Sequence, residues 1–313
     1  MQADSSQKVT AVGISGKETF PTCRRRELRS QRAAGAAFVA VSAIGFGALG
    51  IFGKMAFAAG ASTSTVLFLR FAVAGTLMAA LMTALRLPWP RGRDLVILAG
   101  MGAVGYVGQA YCYFSSLRYA SAGLTALLLY LYPTLVTLAS AALGRQRLTA
   151  VKTAAVAASL TGIVLTVAGN LAGTPTGIAF GAGAAMIYTG YILVGENVSR
   201  RTGAIPSATV IMLAAAVAYG GALVWEGPRW PADAVGWGAV AAIALFSTVV
   251  AMVGFFAGME RLGAADTATL STLEPVVTLV LAAALLGETM GAMQLAGAAM
   301  VLGAVVALAR ARR

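Results

Sequence analysis

The chain has 313 residues, of which 59% are hydrophobic and only 11% charged, with a formal net charge of +12 and no histidine. So little polar surface excludes a soluble domain and makes lipid the solvent of a polytopic membrane protein. The missing histidine excludes an imidazole proton relay and a histidine-ligated metal site, and positive charge that follows the loops instead of one face argues against a nucleic-acid partner.

Residues 1–33 are polar, carry Lys8, Lys17, Arg24, Arg25, Arg26, Arg29 and Arg32, and lack an apolar h-region. They read as a disordered basic cytosolic tail, not a cleavable signal peptide. Its Arg24-Arg25-Arg26 run either fixes orientation or touches anionic head groups. Apolar runs of about twenty residues, enough to span a bilayer core, then follow at 34–58, 64–86, 94–116, 119–143 and 150–170. A second set lies at 174–198, 204–225, 234–258, 264–286 and 290–309. The expected fold is therefore all-α and integral to the membrane, with ten transmembrane helices. They divide into a first five-helix repeat over 34–170 and a second over 171–313 that ends in a short basic tail. Gly254, Gly258 and the series Gly291, Gly297 and Gly303 are expected packing faces, since glycine lets helix backbones approach closely in lipid.

With the N-terminus inside, almost all Lys and Arg fall on cytoplasmic loops and tails, and only Arg118 and Arg229 fall outside. The positive-inside rule supports that orientation. An even helix number returns Arg310, Arg312 and Arg313 to the same side. The expected location is the bacterial cytoplasmic (inner) membrane, with both termini cytoplasmic.

The two halves echo each other. Arg118-Tyr119-Ala120-Ser121-Ala122, leading to Pro133 and Gly144, is matched by Arg261-Leu262-Gly263-Ala264-Ala265, leading to Pro275 and Gly287. An odd number of helices per half makes the second repeat inverted, and exchanging the conformations of inverted halves around a central cavity is a way to alternate access. Pro133 and Pro275 occupy matching places, where loss of an intrahelical bond kinks a helix or makes a gating hinge.

Glu274 lies roughly 15 Å into its predicted span, near the bilayer middle. A carboxylate there either faces a cavity, holding an amine or exchanging a proton, or caps backbone donors beside Pro275. Arg70 is deep enough to seek a carbonyl terminus, Glu274 or a substrate carboxylate, whereas Lys54 is close enough to the outer end of its helix to snorkel. Asp266, Glu196, Glu260 and Glu288 stand near helix ends within reach of solvent. Tyr106, Tyr111, Tyr130, Tyr132, Tyr188 and Tyr191, with Gln109, either line a wet cavity or pack against neighbouring helices, because buried tyrosines need hydrogen-bond partners. The clusters Ser62 to Thr65 and Thr267 to Thr272 read as helix caps and interhelical bonds. Cys23 and Cys112 are too far apart in this topology for a disulfide or metal cluster. No phosphate-binding loop G-x-x-x-x-G-K-[ST] is present, so ATP drive is unsupported. Neither a metal nor a cofactor is expected.

Gly45, Gly50, Phe52 and Lys54 in the first predicted helix, Arg70-Phe71 in the second, Leu273-Glu274-Pro275, Leu286-Gly287-Glu288, Gln294, Gly297 and Gly303 occur in an order and ten-helix frame that resemble the EamA-type drug/metabolite transporters. The resemblance covers 34–309, and within the family the chain is similar to the YddG-type amino-acid exporters. It implies two inverted five-helix halves around a central cavity and export of small metabolites, often amino acids. The first half departs from the second in having Arg145-Gln146 where the second has Glu288. The expected function is secondary export, by alternating access, of small neutral or zwitterionic metabolites such as amino acids, aromatic ones included. A phosphate-ester or nucleotide-sugar exchanger is an alternative that would want more cations than Arg70 and Lys54. An integral-membrane enzyme would want paired acidic motifs that the chain lacks. The expected partners are a small-molecule substrate and the lipid bilayer, and a monomer is compatible with both.

Overall fold

In a computed structural model, which describes residues 20–144, 147–168, 173–262, 267 and 270–310, the described residues are almost entirely helical and contain no strand. The helices are α1 (Phe20–Ala58), α2 (Thr63–Ala84), α3 (Gly92–Tyr119), α4 (Ala122–Ala142) and α5 (Ala150–Ala168) in the first half. The second half holds α6 (Pro175–Thr202), α7 (Ala204–Glu226), α8 (234–262), α9 (Leu273–Leu286) and α10 (Ala292–Arg310). Among the described residues, seven helices are long and apolar enough to cross a membrane, and three shorter apolar ones, Ala150–Thr166, Leu273–Leu286 and Ala292–Leu308, stand at the other expected spans.

Local chemistry sets the boundaries. The side chains of Ser62, Ser121 and Asp233 accept hydrogen bonds from backbone N–H groups of Thr65, Leu124 and Gly236, capping α2, α4 and α8. The αL conformation of Gly287, at φ +64, ends α9, and Glu288 N–H then donates back to the Ala282 carbonyl at 3.1 Å. Gly144, at φ +69, ends α4 in the same way.

Three departures from the sequence reading stand out. Helix α1 begins at Phe20 and runs 39 residues, so the second part of the expected disordered tail is helical; residues 1–19 lie outside the described residues. Second, α4 is broken by a turn at Tyr130–Leu131, and α9 opens after a turn at Ser271–Thr272. Pro133 and Pro275 thus start helical segments, where a missing N–H costs nothing, and do not kink continuous helices. Third, α3 and α8 contain π-helical segments at matching places, Met101–Tyr106 and Leu245–Val250. Gly102 lies against the Ile211 carbonyl on α7, a close approach that only a residue without Cβ permits.

The packing has the symmetry of an inverted duplication. Ser64 bonds Glu226, Phe68 meets Gly220 and Gly75 meets Leu213, so α2 and α7 run antiparallel. Likewise Thr166 and Gly162 meet Gly297, and Ala155 clusters with Leu308, so α5 and α10 run antiparallel. Gly123 beside Leu279 and Tyr130 beside Glu274 give α4 and α9 the same relation. Each of these is a helix against its own copy in the other half. The cross-contacts of α1 with α8 and α9 are mirrored by those of α6 with α3 and α4.

Glycines make these interfaces possible. Gly254 and Gly258 of α8 lie against the Phe38 carbonyl and Val39 of α1, and Gly297 lies against Gly162 and Thr166 of α5. Gly303 faces open space and Gly291 lies near only Gln294, so those two members of the expected series are not packing positions. Gly297→Val should cost about 1–3 kcal/mol by overpacking. In thermal unfolding in detergent it should melt clearly below the parent, whereas Gly303→Val should melt with it.

Candidate functional site: a cavity between the halves

A cavity of about 410 Å³ lies where the halves meet, with walls from both. Of the sequence candidates, Arg70, Gln109, Tyr106, Tyr130, Tyr132, Tyr188, Pro133 and Glu274 line it. Four other candidates lie elsewhere. Tyr111 is 42% exposed on the outer surface of α3, edge-on to Phe180, because it is off the helical face that Tyr106, Gln109 and Tyr113 share. Tyr191 stands behind the wall, stacked between Tyr106 and Tyr188. Pro275 is buried in the first turn of α9. Lys54 does not snorkel: its ammonium pairs with Glu288 Oε1 at 3.3 Å.

Arg70, 4% exposed, is held through its Nε, which donates to Thr248 Oγ1 at 3.0 Å. Thr248 belongs to the π segment of α8, and its own hydroxyl donates to the Ile243 carbonyl. The guanidinium also lies 5.1 Å from the Phe71 ring centroid and 5.8 Å from that of Phe114, a favourable cation–π placement for a desolvated arginine. No carboxylate pairs with it among the described residues. Its remaining N–H groups are therefore available to the cavity.

From Phe71 an unbroken string of aromatic rings runs partly in the cavity wall and partly behind it. Phe71 meets Tyr106 at 5.2 Å, Tyr106 stacks on Tyr191 at 5.7 Å, and Tyr191 on Tyr188 at 5.8 Å. Tyr188 meets Tyr132 edge-on at 4.8 Å, and Tyr132 meets Tyr130 at 6.1 Å. Tyr130 hydroxyl then donates at 2.8 Å to Glu274 Oε2 and lies 2.9 Å from the Ser271 carbonyl. The string therefore has a guanidinium at one end and a carboxylate at the other. Met252, Phe255 and Phe256 of α8 and Phe46 of α1 also line the cavity.

Two features of this site were not foreseen. Gly47 lets α1 press on α9: a Cβ there would lie 2.7 Å from the Glu274 carbonyl, and the Gly47 carbonyl accepts from Thr278 Oγ1 at 2.8 Å. Ser271 Oγ is buried in the cavity wall with no hydrogen-bond partner among the described residues. The sequence carries Gly47 among many helical glycines, and only the α1–α9 contact distinguishes it.

A model of the EamA-like transporter family matches the chain twice, over residues 33–168 and 175–310. The chain belongs to this family. The uncharacterized transporter YcbK of Bacillus subtilis (strain 168) is 28% identical over 280 residues, which is 85% of this chain and 90% of that protein. The aromatic amino acid exporter YddG of Ancylobacter novellus is 33% identical over 245 residues, 74% of this chain and 80% of that one. A crystal structure with 21% identity shares the fold at a TM-score of 0.65, covering 91% of this chain and 99% of the other. The protein is thus a multi-pass membrane transporter of EamA type built from two repeats.

Tyr130→Phe removes the hydroxyl between Ser271 and Glu274 and leaves a buried acceptor unpaired, at a cost of about 1–3 kcal/mol. Its melting temperature in detergent should fall accordingly. Tyr111→Phe, on the outer surface, should leave it unchanged.

Proposed function

We propose that this EamA-like transporter exports small zwitterionic amino acids, aromatic ones included, across the bacterial cytoplasmic membrane by alternating access. The observation that carries the reading is a cavity lined by Tyr106, Tyr130, Tyr132 and Tyr188 together with Arg70 and Glu274. An amino acid presents an ammonium for the carboxylate and a carboxylate for the guanidinium, each a charge-assisted bond. Its side chain then lies against rings whose faces and edges suit another aromatic group. Similarity to a protein named as an aromatic amino acid exporter supports the same substrate class. A phosphate ester or nucleotide sugar is a poorer match, since Lys54 is engaged away from the cavity and, among the described residues, Arg70 is the one cation in its lining.

In this reading the halves are 34–170 and 171–313, the substrate comes from the cytoplasm, and both termini lie on that side. Phenylalanine or tyrosine should show counterflow in vesicles reconstituted with the full chain. Glu274→Gln should weaken it by about ten- to a hundredfold, the range corresponding to a charged hydrogen bond of about 1.5–3 kcal/mol. Absence of counterflow with every proteinogenic amino acid would overturn the substrate class.

The helix breaks before Pro133 and Pro275 act as the joints of the transition. They free backbone groups at cavity depth, which is tolerated where backbone lines a cavity. Pro133→Ala lets α4 continue through the break, so counterflow should slow while the yield of folded protein in detergent stays near that of the parent. Unchanged flux in a well-folded variant would remove the hinge from the mechanism.

A further inference from the structure

Lys54 and Glu288 belong to a cluster that substrate recognition does not use. Glu288 follows the αL residue Gly287, whose turn sends the chain back over the end of α9. Its carboxylate accepts from Ala122 N–H at 2.8 Å through Oε1 and from Gly123 N–H at 3.2 Å through Oε2, while Oε1 also meets Lys54 Nζ at 3.3 Å. One carboxylate thereby ties together α1, the end of α9 and the first turn of α4. The site is partly desolvated, with the Lys54 and Glu288 side chains 27% and 18% exposed. The amides are two of the unsatisfied donors of a helix start, where negative charge is favoured.

The cluster sits on the seam between two groups of helices. One group is α1 with α8 and α9, the other α6 with α3 and α4. At the Glu288 end they touch: Gly53 lies against Phe114 and Leu117, Gly50 approaches Ala122, and Gly123 meets Leu279. Toward the opposite end the described residues show no comparable seam between α6 and the second part of α8. The cavity extends that way, reaching Phe256, Val305 and Leu308.

We infer that Glu288 is a latch: held by Lys54 and the α4 amides, it keeps the cavity shut at the outer end, and its release is the step that admits the outward-open state. The inference rests on the alternating-access reading and on the outer placement of this end. A ligand or mutation shifts such an equilibrium by its differential stabilisation of one state. Removing the latch therefore raises outward exposure of the cavity without altering Arg70 or Glu274.

The test uses the full chain with Cys23→Ser and Cys112→Ser, carrying Ala126→Cys in the cavity wall one turn into α4, and a membrane-impermeant maleimide. In right-side-out vesicles Glu288→Gln should raise the labelling rate by about fivefold or more, a usual size for a coupling between states. Lys54→Met, which leaves the capped amides in place, should give a smaller rise. The double variant should label no faster than Glu288→Gln alone, as expected when both residues act in one contact. Rates equal to the parent in both single variants, or acceleration seen only in inside-out vesicles, overturn the latch. If Glu288→Gln yields no folded protein, Lys54→Met decides the question by itself. Labelling needs no substrate, so loss of the amino-acid reading would appear separately, as absent counterflow beside an intact labelling response.

Discussion

A guanidinium or carboxylate held at the depth of the hydrocarbon has no bulk water to fall back on, so its partners must come from other helices. Arg70 on α2 reaches Thr248 on α8, Glu274 on α9 takes the Tyr130 hydroxyl of α4, and Glu288 beyond α9 takes Lys54 of α1 and the amides of α4. Each arrangement crosses from one half of the molecule to the other. The charges therefore do not merely sit in the fold; they connect the two repeats at three separate contacts.

The symmetry explains why those connections fall where they do. Helices that face their own copies, α2 with α7 and α5 with α10, run antiparallel and pack through glycine or small residues. In the alternating access proposed above, they form the parts of the interface that an exchange of conformations leaves alike. The contacts of α1 and α6 are different: α1 meets the other helix group through its last turns, at Gly50 and Gly53, whereas among the described residues α6 has no comparable contact with α1, α8 or α9. Asymmetry between the ends is then a property of the conformation, while the antiparallel pairs are a property of the fold. The sequence follows the same division: Pro133 and Pro275 are repeated, but Glu288 has Arg145 in the matching stretch.

Much of this was legible in the residues. Apolar runs located each of the described helices, though not the Phe20 start of α1 or the Leu273 start of α9, since the bilayer imposes a length that composition alone reveals. Depth singled out Glu274 and Arg70, and tyrosines far from the interface named most of one cavity wall. What escaped were features set by contacts between helices. The π segments depend on how α3 and α8 meet their neighbours, as at Gly102 against Ile211. Lys54 looked free to snorkel because Glu288, at a helix end, looked solvated; only the left-handed turn at Gly287 brings the two together. Tyr111 could have been set aside from spacing, because Tyr106, Gln109 and Tyr113 already define one helical face and position 111 lies off it.

The Tyr130 hydroxyl lies between a carboxylate of the cavity and the turn before α9. It has one proton and two acceptors in reach, the Glu274 carboxylate and the Ser271 carbonyl at the turn before α9. With Glu274 ionised, that proton is shared between them. If an arriving ammonium satisfies the carboxylate, or a proton neutralises it, the Tyr130 proton is free to go wholly to Ser271, tightening the hydroxyl's hold on the helix break. Tyr130 itself lies at the corresponding break of α4. In the amino-acid export proposed above, occupancy of the charged site changes a bond between the two broken helices, which is the differential interaction that a ligand needs in order to shift a conformational equilibrium.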